Sequence, residues 1–173
     1  QIVTQTFPLI GNYGVNDEDF ESEKSYVSGY IVREWCNAPS NFRMQGDIDA
    51  FLKKQNIIGL HSIDTRSLTR KIREYGVMNG VITTENVYDK KDELLEKVKA
   101  YKIIDAVKNT SVKEIKRYNA ENAKFTVALI DLGYKFNIRN ELVKRGCNVI
   151  VVPHDTDAQT MKNLAPDGIM LSN

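Results

Sequence analysis

Apolar and polar residues follow one another along this chain in short blocks, each about the length of a single secondary-structure element. Residues 1–7 (QIVTQTF) and 26–35 (YVSGYIVREW) are rich in β-branched and aromatic side chains, which predicts strands. Asp47 is placed to cap a helix that carries Ile48, Phe51 and Leu52 on one face and ends near Asn56. Residues 57–63 form a short apolar run, read as a buried strand. Asp64 or Thr65 then opens a second helix, with Leu68, Ile72 and Tyr75 at i, i+4 and i+7 and Gly76 at its end. Residues 77–84 read as a strand. A third helix is expected over about 91–101, with Leu94, Val98 and Tyr101 on one stripe.

Residues 108–124 break this pattern, being polar, weakly periodic and carrying five basic residues against two acidic. They are read as a boundary between domains spanning 1–118 and 119–173. A basic nucleic-acid arm is the alternative, weakened by having Tyr118 as its one aromatic. Beyond the boundary the pattern is regular. A nearly continuous apolar strand covers 125–130, a helix 137–145 with Ile138, Leu142 and Val143 inward, and a strand 147–152. A short helix over 157–164 and a strand over 168–171 follow. This is β-α-β-α-β with short connections, the opening of an open doubly wound sheet. The fold class is therefore α/β: a mixed β/α N-terminal domain, then the start of a parallel sheet. With three strands the second sheet falls short of the five such a domain usually needs, so a truncated domain is expected.

Composition narrows the function classes. The chain has 173 residues, 42% hydrophobic and 27% charged, as in an ordinary globular protein. Its 24 Lys and Arg against 23 Asp and Glu leave a net charge of +1, too little to steer a polyanion. No apolar stretch is long enough to span a bilayer, and no basic-then-apolar leader follows Gln1, which reads as a soluble chain whose true N-terminus is missing. Cys36 and Cys147 form no CxxC pair, which fits a reducing cytoplasm.

Candidate chemistry lies at the carboxyl ends of the parallel strands, where ligands of such sheets bind. Asp131 and Asp155 are possible general bases, against the plainer role of fixing loops. His154 is a possible base or ligand, with no matching carboxylate or Cys at useful spacing. Neither GxGxxG nor a Walker-type loop occurs. Cys147 lacks a nucleophile elbow and Cys36 lacks a nearby His, so neither reads as a nucleophile. Five carboxylates and no Lys or Arg occupy residues 17–23, either a solvated loop or a partner-facing patch. Arg66, Arg70 and Arg73 share a helix face, either solvated and paired with Asp64 and Glu74 or forming a docking surface for an acidic partner.

Three sets of residues together resemble one family. The run Gln1-Ile2-Val3, Thr6, Pro8 through Asn16, and Glu18-Asp19 is similar to the N-terminal domain of the small, glutamine-hydrolysing subunit of carbamoyl phosphate synthetase. So are Pro39 through Arg43, and Asp64-Thr65-Arg66 with Leu68-Thr69-Arg70, Arg73-Glu74, Gly76 and Asn79-Gly80. From Val127 the chain looks like the start of a class I glutamine amidotransferase domain. That likeness rests on Ile130-Asp131, Gly133, Lys135, Asn137-Ile138, Val152-Pro153-His154, Thr156, Pro166-Asp167-Gly168 and Leu171-Ser172-Asn173.

The resemblance implies a subunit that releases ammonia from glutamine and passes it through a tunnel to a large subunit. That partner combines it with bicarbonate using ATP and a divalent metal such as Mg2+, feeding pyrimidine or arginine synthesis. It also implies that Leu171, Ser172 and Asn173 begin a glutamine-pocket loop completed by Gly-Pro-Gly. The catalytic Cys, His and Glu, and that Gly-Pro-Gly, are expected beyond Asn173, and a glutamine-contacting Ser before Gln1. No catalytic residue and no cofactor are expected within the chain itself. The alternative is a non-catalytic docking module of a larger enzyme complex.

Overall fold

The computed structural model describes residues 1–172, so the expectation placed on Asn173 lies outside the described residues. The chain divides into two compact units, residues 1–20 with 24–102, and residues 21–23 with 103–173.

In the first unit the strands are β1 (Ile2–Thr4), β2 (Leu9–Ile10), β3 (Gly29–Ile31), β4 (Glu34–Trp35) and β5 (Ile58–Leu60). They form a parallel sheet in the order β1-β3-β5 and a separate parallel pair, β2 with β4. The strand expected over 26–35 is thus split into β3 and β4, whereas that expected over 1–7 shortens to β1, and β2 lies beyond it. The chain changes sheets at Pro8, which has no N–H to give a ladder, and at Val32-Arg33. The Val32 N–H bonds to Leu60 O at 2.8 Å, whereas the Glu34 N–H bonds to Pro8 O at 2.9 Å. A turn through Gly11 to Gly14 closes against residues 44–46. Gly14 sits at φ +68, and a Cβ there would lie 2.5 Å from Gly46 O, so only glycine fits.

Helix α1 (Ile48–Lys54) is capped by Asp47, which accepts from Ala50 N at 2.8 Å. Helix α2 (Thr65–Tyr75) is capped by Asp64, which accepts from Ser67 N at 3.0 Å. The expected strand at 77–84 does not form. No neighbouring strand pairs with it, and Asn79 instead donates to Val98 O and Tyr101 O, both at 2.9 Å. Helix α3 (Val87–Ala100) opens earlier than expected, on Asn86. Lys90 is non-helical (φ −120, ψ 16), so the regular helix begins close to the expected Lys91.

The second unit contains α4 (Ala106–Thr110), β6 (Lys116–Tyr118), β7 (Phe125–Asp131), α5 (Phe136–Lys144), β8 (Cys147–Val152), α6 (Ala158–Leu164) and β9 (Gly168–Ser172). The β-α-β-α-β pattern stands as expected. The sheet order is β6-β8-β7-β9, with β6 antiparallel and the other three parallel. The polar stretch read as a linker therefore contains a helix and an edge strand. Accordingly the compact units part between Lys102 and Ile103, ahead of the 118/119 boundary expected from composition.

Two apolar layers flank this sheet. Leu129, Val149 and Val151 pack with Tyr134 and with Ile138, Leu142 and Val143 of α5. Ala128, Ile150 and Val152 pack with Met161 and Leu164 of α6. Helices on opposite faces are what a doubly wound sheet requires.

Candidate functional site

Strand β7 is central, and the chain moves to β8 on one side of it and to β9 on the other. The order reverses between β7 and β9, so the switch point of the sheet lies at their carboxyl ends. Asp131 and Ser172 are register partners there, each 2% exposed.

Asp131 is fully engaged. Its Oδ2 accepts from Val112 N at 2.7 Å, and its Oδ1 accepts from Gly133 N at 2.9 Å and Tyr134 N at 3.0 Å. The carboxylate therefore ties the β7–α5 turn to the segment after α4 through three backbone N–H groups. Of the two roles open to it from sequence, loop fixing is the one observed. Ser172 Oγ donates to Ile130 O at 3.2 Å, closing the end of β9 onto β7. Leu171 points away, 68% exposed.

His154 follows β8. Its backbone N–H donates to Ser111 Oγ at 3.0 Å, and its Nδ1 lies 3.7 Å from an oxygen of the exposed Asp155. Among the described residues no hydrogen bond or ion pair joins His154 or Asp155 to Asp131. Cys147 begins β8 and pairs in register with Phe125, so it occupies the amino edge of the sheet, opposite the ligand-binding edge. Cys36 belongs to the first unit, where its N–H bonds to Ile10 O at 2.8 Å. Both cysteines are free thiols. Among the described residues no group of three or more His, Cys, Asp and Glu converges as a metal site. No helix among them is long and apolar enough to cross a membrane.

Sequence reading missed Ser111, Val112 and Tyr134 at this edge. Ser111 and Val112 join the ends of β7 and β8 from within the presumed linker. Their signal was Val112 and Tyr118 standing as apolar positions in a polar stretch. Tyr134 packs against Phe136, their rings 6.1 Å apart, and burial foremost pushes its phenol up to about 12. Arg139 stacks over both Phe136 and Tyr118 on the same face.

The acidic run has also found partners. Glu21 accepts from the backbone N–H of Asn137 at 2.9 Å, and its backbone carbonyl accepts from Phe136 N at 2.9 Å. Helix α5 has no side-chain cap of its own, so Glu21 supplies its N-terminal carboxylate. Glu23 pairs with Lys116 at 2.6 Å. In the first unit, Glu18 and Asp19 bind Arg43 at 2.8 and 3.1 Å. The run is thus a largely exposed loop, as the plainer reading expected, whose carboxylates nonetheless find partners within their own units.

Residues 1–82 match the family model for the carbamoyl-phosphate synthase small chain, CPSase domain. Residues 128–173 match that for class-I glutamine amidotransferases. Among curated relatives, the carbamoyl phosphate synthase small chain of Bacillus cereus is 49% identical over all of this chain and 46% of its own length. That of Clostridium perfringens is 44% identical over all of this chain and 48% of its own. That of Archaeoglobus fulgidus is 43% identical, again over all of this chain and 48% of its own. The chain spans about half the length of these relatives. Two family matches in the right order, joined by relatives that cover both, carry one conclusion: the chain belongs to the carbamoyl-phosphate synthase small chain family, with its CPSase domain followed by the opening of a class-I glutamine amidotransferase domain.

Proposed function

We propose that this chain forms part of the small subunit of a glutamine-dependent carbamoyl phosphate synthetase, carrying its N-terminal domain and the approach to its glutamine pocket. The observation that supports this most is the β7–β9 switch point, where β9 ends with Leu171 and Ser172 at the edge that binds ligands in such sheets. In this reading the buried Asp131 and Ser172 keep that edge rigid, so that the loop beyond β9 starts from a fixed position. A positioned loop lowers the ordering cost of holding glutamine for attack.

The chemistry itself belongs to the whole subunit. A thiolate adds to the side-chain amide carbon of glutamine, and the carbonyl electrons move to an oxyanion held by backbone N–H groups. Collapse, with the conjugate acid of the general base protonating the nitrogen, expels ammonia and leaves a thioester, which water then hydrolyses to glutamate, freeing the thiolate. Cys147, at the amino edge of the sheet, and Cys36, in the first unit, are unsuited to that role. The ammonia passes to a large subunit, which uses ATP, bicarbonate and Mg2+ or another divalent metal, in the cytoplasm, for pyrimidine or arginine synthesis.

Assay of the full-length small chain with its large chain tests this reading. Release of ammonia from glutamine and glutamine-dependent carbamoyl phosphate formation are expected. Absence of ammonia release overturns the proposal. A second reading, a non-catalytic docking module, draws on the arginine row of α2.

A further inference from the structure

Helix α2 carries charge that the rest of the fold leaves alone. Its inner face is made by buried Thr65 with half-buried Leu68, Thr69 and Ile72. At 100° per residue, Arg66, Arg70 and Arg73 fall within an arc of about 60° beside that face. All three are exposed. Among the described residues none of them forms an ion pair, although Glu74 stands four residues from Arg70. Asp64, the other nearby carboxylate, is taken up in capping the helix.

The surface lysines on the neighbouring helices behave differently. Lys53 pairs with Asp49, Lys97 with Glu93 and Lys99 with Glu96. Like charges spaced at i, i+4 and i+7 repel, and among the described residues no ion pair relieves that repulsion. Guanidinium groups in such a row match carboxylates in a fork geometry that lysine does not provide. A nucleic acid is a poor match, because no aromatic residue shares the arc and the chain's net charge is only +1.

We infer that this face of α2 docks on a carboxylate-rich protein surface, borne by the large chain of the synthase. The inference rests on the proposed partnership and assigns it a surface. Its test is the affinity of the full-length small chain for the large chain, measured from low to high salt. Replacing Arg66, Arg70 and Arg73 together by Glu weakens binding by about tenfold or more at low salt, chiefly through the association rate, and flattens the salt dependence. Replacement by Gln gives a smaller loss and leaves the buried face of the helix intact, so it decides the matter should the Glu variant fail to fold. Replacement by Lys restores the salt dependence but only part of the affinity. A charge-matched control, Lys53, Lys97 and Lys99 to Glu, changes binding by no more than about twofold. A complex equally tolerant of the arginine and the lysine changes overturns this inference alone. Failure of the unaltered chains to bind overturns the partnership as well.

Discussion

The two units apply one rule, parallel strands joined by helices, to very different extents. In the second, β7, β8 and β9 run five to seven residues, and Leu129, Val149, Val151 and Val152 lose all contact with solvent. In the first, no described strand exceeds three residues, and the buried hydrophobics among the described residues are Val32 and Ile57. There the order comes from loops. Arg43 bridges Asn16, Glu18 and Asp19, Gln45 accepts from Asp17 N at 2.6 Å, and Ser40 N bonds to Asn12 O at 3.0 Å. The second unit is held by burial, which is hard to perturb from the surface, whereas the first leans on exposed polar ties that each contribute little alone.

Leu129→Ala should produce the largest effect in this contrast, removing about 3 kcal/mol from the second unit. Ile58→Ala, on an exposed position of the first unit, should remove less than about 1 kcal/mol. Urea unfolding followed by circular dichroism, with Trp35 fluorescence reporting on the first unit, measures both. Equal losses would erase the distinction.

Next comes Asp131→Ala, which strands three backbone N–H groups and should cost about 2–3 kcal/mol. Asp131→Asn, which keeps an acceptor oxygen, should cost less. Glu21→Gln follows at about 1 kcal/mol, because α5 loses its carboxylate cap, whereas Arg43→Ala in the exposed network of the first unit should cost only a few tenths. Chemical denaturation of each variant ranks them, and a larger loss for Arg43→Ala than for Glu21→Gln would reverse the comparison.

The smallest effect is in alkaline solution. Tyr134 has a folded pKa raised to about 12, above its ordinary value of 10.0. The unfolded chain therefore loses its phenolic proton first, and stability falls as pH rises from about 10 to about 12. A pH series of melting temperatures should show that decline, reduced in Tyr134→Phe. Persistence of the full decline in the variant would assign it to other groups.

Legibility in the sequence followed the same division. The second unit was readable because each long apolar strand and each amphipathic helix declares its own period, from Phe125 to Leu171. What escaped was β6, which is half polar and forms only because β8 offers it an edge. The first unit was harder. Residues 1–7 and 26–35 looked like single strands, yet the sheet change at Pro8 and Val32-Arg33 depends on partners distant in sequence. Residues 77–84 have strand composition but no neighbour to pair with. At the site, Asp131 and Ser172 were visible as strand ends, while Ser111 and Val112 were not, since hydrogen bonds across the sheet leave no local pattern. The family resemblance came from loop motifs such as Gly11 through Asn16 and Pro39 through Arg43, which the fold ties together.

The central claim is that this chain supports the approach to a glutamine site without carrying the nucleophile. Ammonia release from glutamine by the purified 173-residue chain, its fold verified by circular dichroism, tests that directly. The account predicts no release above the uncatalysed background. Sustained release, abolished by replacing Cys36 or Cys147 with Ser, would contradict it.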